Sequence, residues 1–148
     1  MIALLDTPFE PSDALKRFEA EAGGAGAIVS FSGHVRPQAA SGPVTSLYLQ
    51  AHSPLTERGI EAAAGRARER WPLTALTVLH RIGEMAPGEA IVFVATASAH
   101  RRAAFEAADF LMDYLKTEAI FWKKETGPEG AAWIEPRAED YADRLRWG

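Results

Sequence analysis

Two long apolar segments separated by a short turn set narrow limits on how this chain folds. The segments, LTALTVLHRIG and EAIVFVATASA, are rich in β-branched residues, and EMAPG joins them. The Pro87-Gly88 pair within this connection is typical of a turn. Strands joined by so short a connection pair with each other in antiparallel fashion. The sequence therefore predicts a β-hairpin from these two segments.

Two amphipathic segments before the hairpin predict helices. PSDALKRFEAEAGG has Ser12 or Asp13 as a candidate N-cap, and Gly23-Gly24 as its end. SPLTERGIEAAAGRARERW predicts a longer helix with Ser53 as N-cap and Pro54 at the first helical position. Both helices are expected to place one apolar face on a sheet.

A third helix follows the hairpin and begins at SAHRR. Its apolar residues fall three or four apart, as a helix buried along one side requires: Phe105, Ala108, Met112 and Leu115. After it, GPEGAAWIEPR predicts a turn and a short strand, and DYADRLRWG a charged tail.

The remaining segments complete the element order. We predict a strand from about Ala25 to Ser32, a loop over His34 to Pro43, and a strand in VTSLYLQAH. The order α-β-β-α-β-β-α-β mixes hairpins with helices, so the fold class is α+β, with helices packed on a mainly antiparallel sheet. A length of 148 residues predicts a single domain over residues 1–148.

Composition limits the classes of function. The net charge of −4 argues against a general nucleic-acid binder, so a bound anion must meet a local basic pocket. The absence of cysteine excludes thiolate metal sites and a cysteine nucleophile, and any sulfur chemistry must take its sulfur from outside the chain. No apolar run approaches about 18 residues, and MIALLDTPFEP lacks the features of a signal peptide, so we expect a cytoplasmic protein without a membrane span.

His100 and Arg101 lie at the start of the third predicted helix. Cations there are disfavoured by roughly 0.3–1 kcal/mol each, because the helix N-terminus carries partial positive charge. An anion such as phosphate or carboxylate bound by Arg101 and the free amides would compensate for this. Alternatively, Arg101 pairs with a nearby Asp or Glu and His100 is a surface residue.

The chain has four lysines, and three of them fall within residues 116–124. Lys116 and Lys123 would share a face if the helix continued, since they are two turns apart. Contact with Phe121 and Trp122 would partly desolvate a lysine and lower its pKa toward values useful for proton transfer. The alternative is that both lysines are solvated and only their aliphatic stems cover the rings.

Three further histidines and one arginine lie in or next to predicted strands. GHVRP presents His34 and Arg36 from a loop at a strand end, where binding residues are common, although Arg36 could be an ordinary exposed arginine. His52 and His80 are interpreted as structural, because neither has a second ligand at metal-binding spacing, and no metal site is predicted. The residues alone predict a phosphate-sized anion site with lysines nearby and leave the reaction open.

Longer segments resemble a known family. FSGHVRP, the run from ERWPLTALTVLHRIG to IFWKKE, and WIEPR together resemble the large, catalytic subunit of molybdopterin synthase, in the order that family has them, from about Gly26 to Arg137. The resemblance implies an α/β hammerhead fold with an additional antiparallel β subdomain. It also implies an enzyme that needs no cofactor and converts cyclic pyranopterin monophosphate into molybdopterin by adding two sulfurs as a dithiolene. Each sulfur would come from the thiocarboxylated Gly-Gly tail of a small ubiquitin-like subunit, with the large subunits forming a homodimer within a heterotetramer.

Matching the family's motifs residue by residue implies roles for six side chains. Lys116 of DYLK and Lys123 of FWKK correspond to its two active-site lysines. The residues that correspond to its substrate-anion and tail-binding positions are Arg36, His100, Arg101 and Arg137. The resemblance further implies that the His-Arg pair serves the pocket of the neighbouring subunit. The chain departs from the family at Ile120, where proline is common.

Two other classes of function remain open. One is a non-catalytic module that binds a ubiquitin-like tail or a phosphorylated ligand. The other is a transferase that uses a lysine as a nucleophile through a Schiff base with a carbonyl substrate.

Overall fold

The computed structural model describes all residues, Met1–Gly148. It contains four helices: α1 (Pro11–Glu21), α2 (Leu55–Arg70), α3 (Arg101–Thr117) and α4 (Ala138–Leu145). Its strands are β1 (Ile2–Leu5), β2 (Ala27–His34), β3 (Gln38–Ala39), β4 (Gly42–Pro43), β5 (Ser46–Ala51), β6 (Leu73–Arg81), β7 (Gly83–Met85), β8 (Ala90–Ser98), β9 (Phe121–Gly127) and β10 (Gly130–Ile134). The predicted α+β class is confirmed.

The first sheet has the strand order β1-β6-β8-β2. The predicted hairpin of β6 and β8 forms its centre, β2 is antiparallel to β8, and β1 is parallel to β6. Both faces of this sheet are covered, because apolar residues of α2 and α3 pack on one side and those of α1 on the other. This explains why β6 and β8 are apolar almost throughout instead of alternating.

The second sheet has the order β10-β9-β5-β7 and is wholly antiparallel. It corresponds to the predicted antiparallel β subdomain. The connection between β6 and β8 contributes the strand β7 to this sheet. Gly83–Met85 pairs there with Leu47–Leu49 of β5 instead of forming part of a simple turn. Its inner face carries a small apolar core of Val35, Val44, Leu47, Leu49 and Met85.

The central helix, α3, packs closely on the first sheet because small residues line its buried side. Ala104 and Ala107 have no exposed surface, and the buried hydroxyl of Thr96 donates to the carbonyl oxygen of Ala104 at 2.6 Å. The neighbouring α2 also approaches closely, since a Cβ atom at Gly59 would lie only 2.7 Å from the Tyr114 hydroxyl. This close packing fixes α3 on the sheet, and it therefore also fixes the positions of the residues at the two ends of the helix.

Two sequence predictions of helix starts were wrong by one to three residues. Neither Ser12 nor Asp13 caps α1: Glu10 is the N-cap, and Pro11 takes the first position, where its missing N–H leaves no donor unpaired. Likewise Pro54, not Ser53, is the N-cap of α2, and the Ser53 hydroxyl donates to the Glu57 carboxylate at 2.8 Å.

Three other predictions need correction. The loop predicted over residues 34–43 contains the small β3–β4 hairpin, and Val35 is buried in the core of the second sheet. The tail predicted as merely charged forms α4. Phe105, predicted on the buried stripe of α3, is 59% exposed, because the buried stripe instead runs through Ala104, Ala107, Ala108 and Leu111.

The C-terminal segment is held on α3 by one buried carboxylate. Asp113 accepts hydrogen bonds from Arg146 at 2.7 Å and from the Trp147 indole at 2.6 Å. The Trp147 ring also packs edge-on against Trp71 and Phe110. Burial of the ring with a satisfied N–H explains why so short a polar helix is ordered here. None of the helices is both long enough and apolar enough to cross a membrane.

Candidate active site

The two lysines singled out from the sequence lie on different elements. Lys116 is exposed in the last turn of α3, which ends at Thr117, and Lys123 is the third residue of β9. The helix therefore does not continue to carry both on one face. They are nevertheless close enough for the charge of Lys116 to lower the pKa of Lys123.

The short connection between the lysines is fixed by a buried hydroxyl. Thr56, at the start of α2, donates to the carbonyl oxygen of Ile120 at 2.6 Å and accepts from the backbone N–H of His52 at 2.8 Å. Thus the backbone that leads from Lys116 to Lys123 is held at Ile120 by a side chain from another element.

Lys123 points to the inner face of the second sheet. It lies opposite Leu49 of β5 and Ile134 of β10, and it shares its face with Phe121, two residues earlier. Burial is the largest cause that lowers the pKa of Lys123, and the charges of Lys116 and Arg36 act in the same direction. A lysine with a lowered pKa can exchange a proton nearer to neutral pH than an exposed one.

The next residue, Lys124, lies on the opposite face of the same strand. Its ammonium nitrogen is 5.6 Å from the centre of the Trp133 ring, which is itself exposed. Because successive side chains of a strand point to opposite faces, Lys123 lies inside the site and Lys124 outside it. The lysine that lies over an aromatic ring is therefore Lys124, for which the sequence proposed no role, whereas burial lowers the pKa of Lys123.

Arg36 belongs to the same region as the lysines. It follows β2 and is exposed, while its neighbour Val35 is buried and anchors the segment through backbone hydrogen bonds with Glu89 and Gly88 at 2.9 and 2.8 Å. The structure therefore brings together Arg36, Lys116 and Lys123, three cations in a chain of net charge −4. Such a local positive cluster suits an anionic ligand.

Arg137 is placed by an aspartate that sequence reasoning missed. Arg137 is the N-cap of α4; its backbone N–H donates to Asp140 at 3.0 Å, and its guanidinium, 69% exposed, lies 3.4 Å from the same carboxylate. The hydrogen bond to Asp140 raises the pKa of Arg137. Asp140 is buried and its charge also raises the pKa of Lys123, so it links Arg137 to the lysine site. A carboxylate three residues after a helix start is a capping pattern that could have signalled it.

Removal of the Asp140 charge is expected to lower the pKa of Lys123 further. In Asp140→Asn the amide keeps most of the shape but loses the negative charge that stabilises the ammonium. The titration midpoint of Lys123, measured from its ¹³Cε resonance, should move to lower pH. Glu139→Gln is the matched control, because Glu139 is the exposed neighbour on the same helix and is not among the groups that shift the pKa of Lys123. Equal midpoints in both variants would contradict the link.

His100 and Arg101 are not brought to this cluster within one chain. They begin α3, whereas Lys116 lies in its last turn; fifteen residues at about 1.5 Å each separate Arg101 from Lys116 by roughly 22 Å. Both residues are exposed, and Arg101 takes part in none of the ion pairs of the structure, so the alternative of a local carboxylate partner is not observed. His100 is the N-cap of α3 but makes no side-chain capping hydrogen bond.

No group of three or more potential ligand side chains is arranged to hold a metal ion. His80 is buried beside the lysine site and stacks on Phe121 with 4.1 Å between the ring centres. His52 contacts Trp122 edge-on at 4.7 Å. Both histidines thus lie in aromatic contacts, His52 with Trp122 and His80 with Phe121.

Comparisons with known proteins place the chain in a family. Residues 4–118 match the model of the MoaE protein family. The molybdopterin synthase catalytic subunit of Caulobacter vibrioides is 50% identical over 147 residues, which cover 99% of this chain and 97% of that protein.

Two solved structures have the same fold. The molybdopterin biosynthesis MoaE protein of Burkholderia ambifaria has a TM-score of 0.84 and 38% identity, with 100% of this chain and 97% of that chain covered. A complex of subunits 1 and 2 of the molybdopterin-converting factor of Helicobacter pylori contains a chain with a TM-score of 0.78 and 19% identity, covering 92% and 91%, a likeness of fold. The family model matches most of this chain, and a relative that is 50% identical matches 99% of it. The chain therefore belongs to the MoaE family of molybdopterin synthase catalytic subunits.

Proposed function

We propose that this chain is the sulfur-transferring subunit of a molybdopterin synthase. It would convert cyclic pyranopterin monophosphate into the dithiolene of molybdopterin, taking sulfur from the thiocarboxylated tail of a small ubiquitin-like subunit. The observation that carries the proposal is a cluster of three cations, Lys123, Lys116 and Arg36, at one end of α3. Burial lowers the pKa of Lys123 within this cluster. Family membership supplies the reaction, and this cluster supplies groups suited to it.

The chemistry of the substrate matches the cluster. A cyclic phosphate is an anion, and Arg36 can hold it by charge-assisted hydrogen bonds. Opening the ring and attacking the pterin side chain require proton transfers, for which Lys116 and Lys123 are the proposed acid and base. The chain has no cysteine, which agrees with a sulfur atom delivered by another protein.

The proposed site also needs a second copy of the chain. His100 and Arg101, the remaining anion-binding residues implied by the family resemblance, lie about 22 Å from Lys116 along α3. A homodimer would remove this separation if the N-terminal end of one α3 lay near the C-terminal end of the other. We therefore propose a homodimer with sites shared between subunits.

The free edge of the first sheet is suited to such a dimer. β2 forms this edge, and two of its exposed residues, Ile28 and Phe31, are large and apolar. Phe105 is exposed on α3, which packs against β2. An unpaired apolar edge strand favours pairing with another chain. In an antiparallel pair of two β2 strands, each about 24 Å long, the Ala27 end of one strand would meet the His34 end of the other.

This arrangement would complete the anion site. Ala27 lies opposite Ser98, two residues before His100, and Arg36 lies two residues after His34. The twofold pairing would bring His100 and Arg101 of the partner subunit toward Arg36. The strand register therefore supports the proposed shared site.

We further propose that the small subunit threads its Gly-Gly tail toward Lys116, Lys123 and Arg137. The Helicobacter pylori chain of the same fold, which occurs in a two-subunit complex, supports such an assembly. Glycine lets a backbone pass close to channel walls, and a terminal thiocarboxylate would accept charge-assisted hydrogen bonds from the cations.

Deletion of the partner's last two glycines should weaken binding only modestly yet eliminate product. Most of the affinity should come from contact between the two folded bodies, because the tail loses conformational entropy when it becomes ordered. Calorimetry and a dithiolene assay on the same truncated partner test this, with the full-length thiocarboxylated partner as control. Full activity without the tail would disprove sulfur delivery by the tail.

The two alternative functions give different results in the same assay. A non-catalytic binding module would bind the thiocarboxylated partner and form no dithiolene from the cyclic pterin. A Schiff-base transferase would be trapped covalently at a lysine by borohydride in the presence of a carbonyl substrate. The cytoplasmic location expected from the sequence stays a prediction, which cell fractionation would check.

A further inference from the structure

His80 is a buried histidine that the proposed mechanism does not use. It is the next-to-last residue of β6, and only 7% of its surface is exposed. Its ring stacks on that of Phe121, with an angle of 20° between the planes. Since Phe121 and Lys123 lie on the same face of β9, the stack places the imidazole between the first sheet and the lysine site.

The hydrogen bond of the ring fixes its tautomer. Nδ1 of His80 lies 2.9 Å from the carbonyl oxygen of Arg81, and because a carbonyl oxygen only accepts, Nδ1 carries the hydrogen. In a neutral ring Nε2 then has a free lone pair. Burial, reinforced by the charges of Lys116 and Lys123, lowers the pKa of His80 to about 4. At neutral pH the ring therefore offers the lysine site an acceptor without adding positive charge.

Lys123 is the side chain that most needs such an acceptor. It is partly buried, and none of the ion pairs of the chain includes it. A desolvated ammonium group is unstable unless something accepts its hydrogens. Lys116, by contrast, is exposed and can be hydrated.

We propose that His80 is a positioning residue of this site, whose Nε2 accepts a hydrogen bond from the ammonium group of Lys123 through one bridging water. The bond would orient Lys123 for proton transfer and stabilise its protonated form against burial. The inference rests on the proposed role of Lys123 in sulfur transfer. It adds a residue from the first sheet, His80, to a site otherwise built from α3, β9, α4 and the segment after β2.

The charged groups around Lys123 act from every neighbouring element. Lys116 of α3 and Arg36 after β2 lower its pKa, whereas Glu125 on the same strand and Asp140 of α4 raise it. None of these groups is altered by a substitution at His80. A change in the titration of Lys123 in such a variant would therefore report the loss of the acceptor.

Two amide substitutions separate the two nitrogens of the ring. His80→Asn retains a donor near the position of Nδ1, facing the Arg81 carbonyl, but has nothing at Nε2. His80→Gln instead places its amide near the position of Nε2 and can accept there. His52→Asn is the matched control, since His52 is a second half-buried histidine in aromatic contact, with Trp122.

The titration of Lys123 in the isolated chain is the first measurement. With only four lysines, ¹³Cε resonances can be assigned by substitution. Loss of a hydrogen bond to the charged form lowers a pKa, so the Lys123 midpoint should fall by about one pH unit in His80→Asn, and remain near the wild-type value in His80→Gln and His52→Asn. This experiment needs neither substrate nor small subunit, so its outcome is independent of whether sulfur transfer is the correct function.

Activity with the small subunit and cyclic pterin is the second measurement. We expect kcat of His80→Asn to fall about tenfold with little change in KM, and the pH profile to move with the Lys123 midpoint. If His80→Asn does not fold, His80→Phe keeps the stack on Phe121 and provides the same comparison. Equal Lys123 midpoints in the wild-type protein and in the folded variant that lacks Nε2 would overturn the proposal.

Discussion

Product formation by Lys123→Ala is expected to fall by about 100-fold or more, the range in which a lost general acid or base usually lies. Lys123 is the partly buried lysine of the site, and its pKa is lowered mainly by burial. No other amine can take its place from the same face of β9, because Lys124 points to the opposite face. Dithiolene formation from cyclic pterin and thiocarboxylated small subunit is the measurement.

Lys124→Ala provides the control for this experiment. It removes the same side chain from the adjacent residue, and with it only the contact of Lys124 with the exposed Trp133 ring. A single-turnover assay should give near wild-type rates for Lys124→Ala. Comparable losses in both variants would indicate that general positive charge, instead of a placed lysine, supports the reaction.

Lys116→Ala should also lose most turnover while it leaves the fold intact. Lys116 is exposed at the end of α3 and belongs to no apolar cluster, so its removal should change the free energy of unfolding by no more than about 0.5 kcal/mol. Denaturant unfolding of the variant checks the stability, and the same product assay checks the activity. Retention of more than half of the product would exclude a catalytic role for Lys116.

Strong local patterns made much of the fold predictable. The two β-branched segments around Pro87-Gly88 became the central strands β6 and β8, because their composition permits burial on both faces. The helix starts were less predictable, since Pro11 and Pro54 take positions that side-chain caps were expected to define. The entry of Gly83–Met85 into the second sheet depends on its pairing with β5, about 35 residues earlier, which no local pattern reports.

The candidate site was predictable only in its residue types. Spacing alone suggested one helix face for Lys116 and Lys123, but α3 ends at Thr117, and their proximity depends on where β9 pairs with β5. His80 was not selected as a site residue, because a lone histidine in a strand has no distinctive sequence pattern. Asp140 was missed because its capping position is evident only once the tail is known to form a helix that starts at Ala138. Their relation to Lys123 arises from tertiary packing of α4 and β6 around β9.

Because α3 holds Arg101 far from Lys123 of the same chain, the proposed sharing of sites between subunits predicts a second large effect on activity. Arg101→Ala alone should reduce activity strongly, because a guanidinium that binds the substrate anion is lost. Lys123→Ala should be nearly inactive for the separate reason given above. If Arg101 and Lys123 of the same chain serve different sites, each homodimer contains two defective sites.

Mixed dimers of the two variants should regain activity. In a dimer of one Lys123→Ala chain and one Arg101→Ala chain, one site carries both defects and the other has both native side chains. Random exchange of equal amounts makes half of the dimers mixed, so about one quarter of the sites should be intact, with about one quarter of wild-type activity. Subunit exchange is verified by mass spectrometry of a tagged chain, and a mixture of Lys123→Ala with Lys116→Ala is the control.

The control mixture separates shared sites from nonspecific recovery. Lys116 and Lys123 lie in the same cluster of one chain, so a mixed dimer of their variants has no intact site and should stay inactive. Arg101 lies roughly 22 Å away, at the other end of α3, and cannot join that cluster without a second chain. Recovery with Arg101→Ala, but not with Lys116→Ala, would establish that sites are shared between subunits. No recovery in either mixture after confirmed exchange would place the whole site within one chain and leave Arg101 outside it.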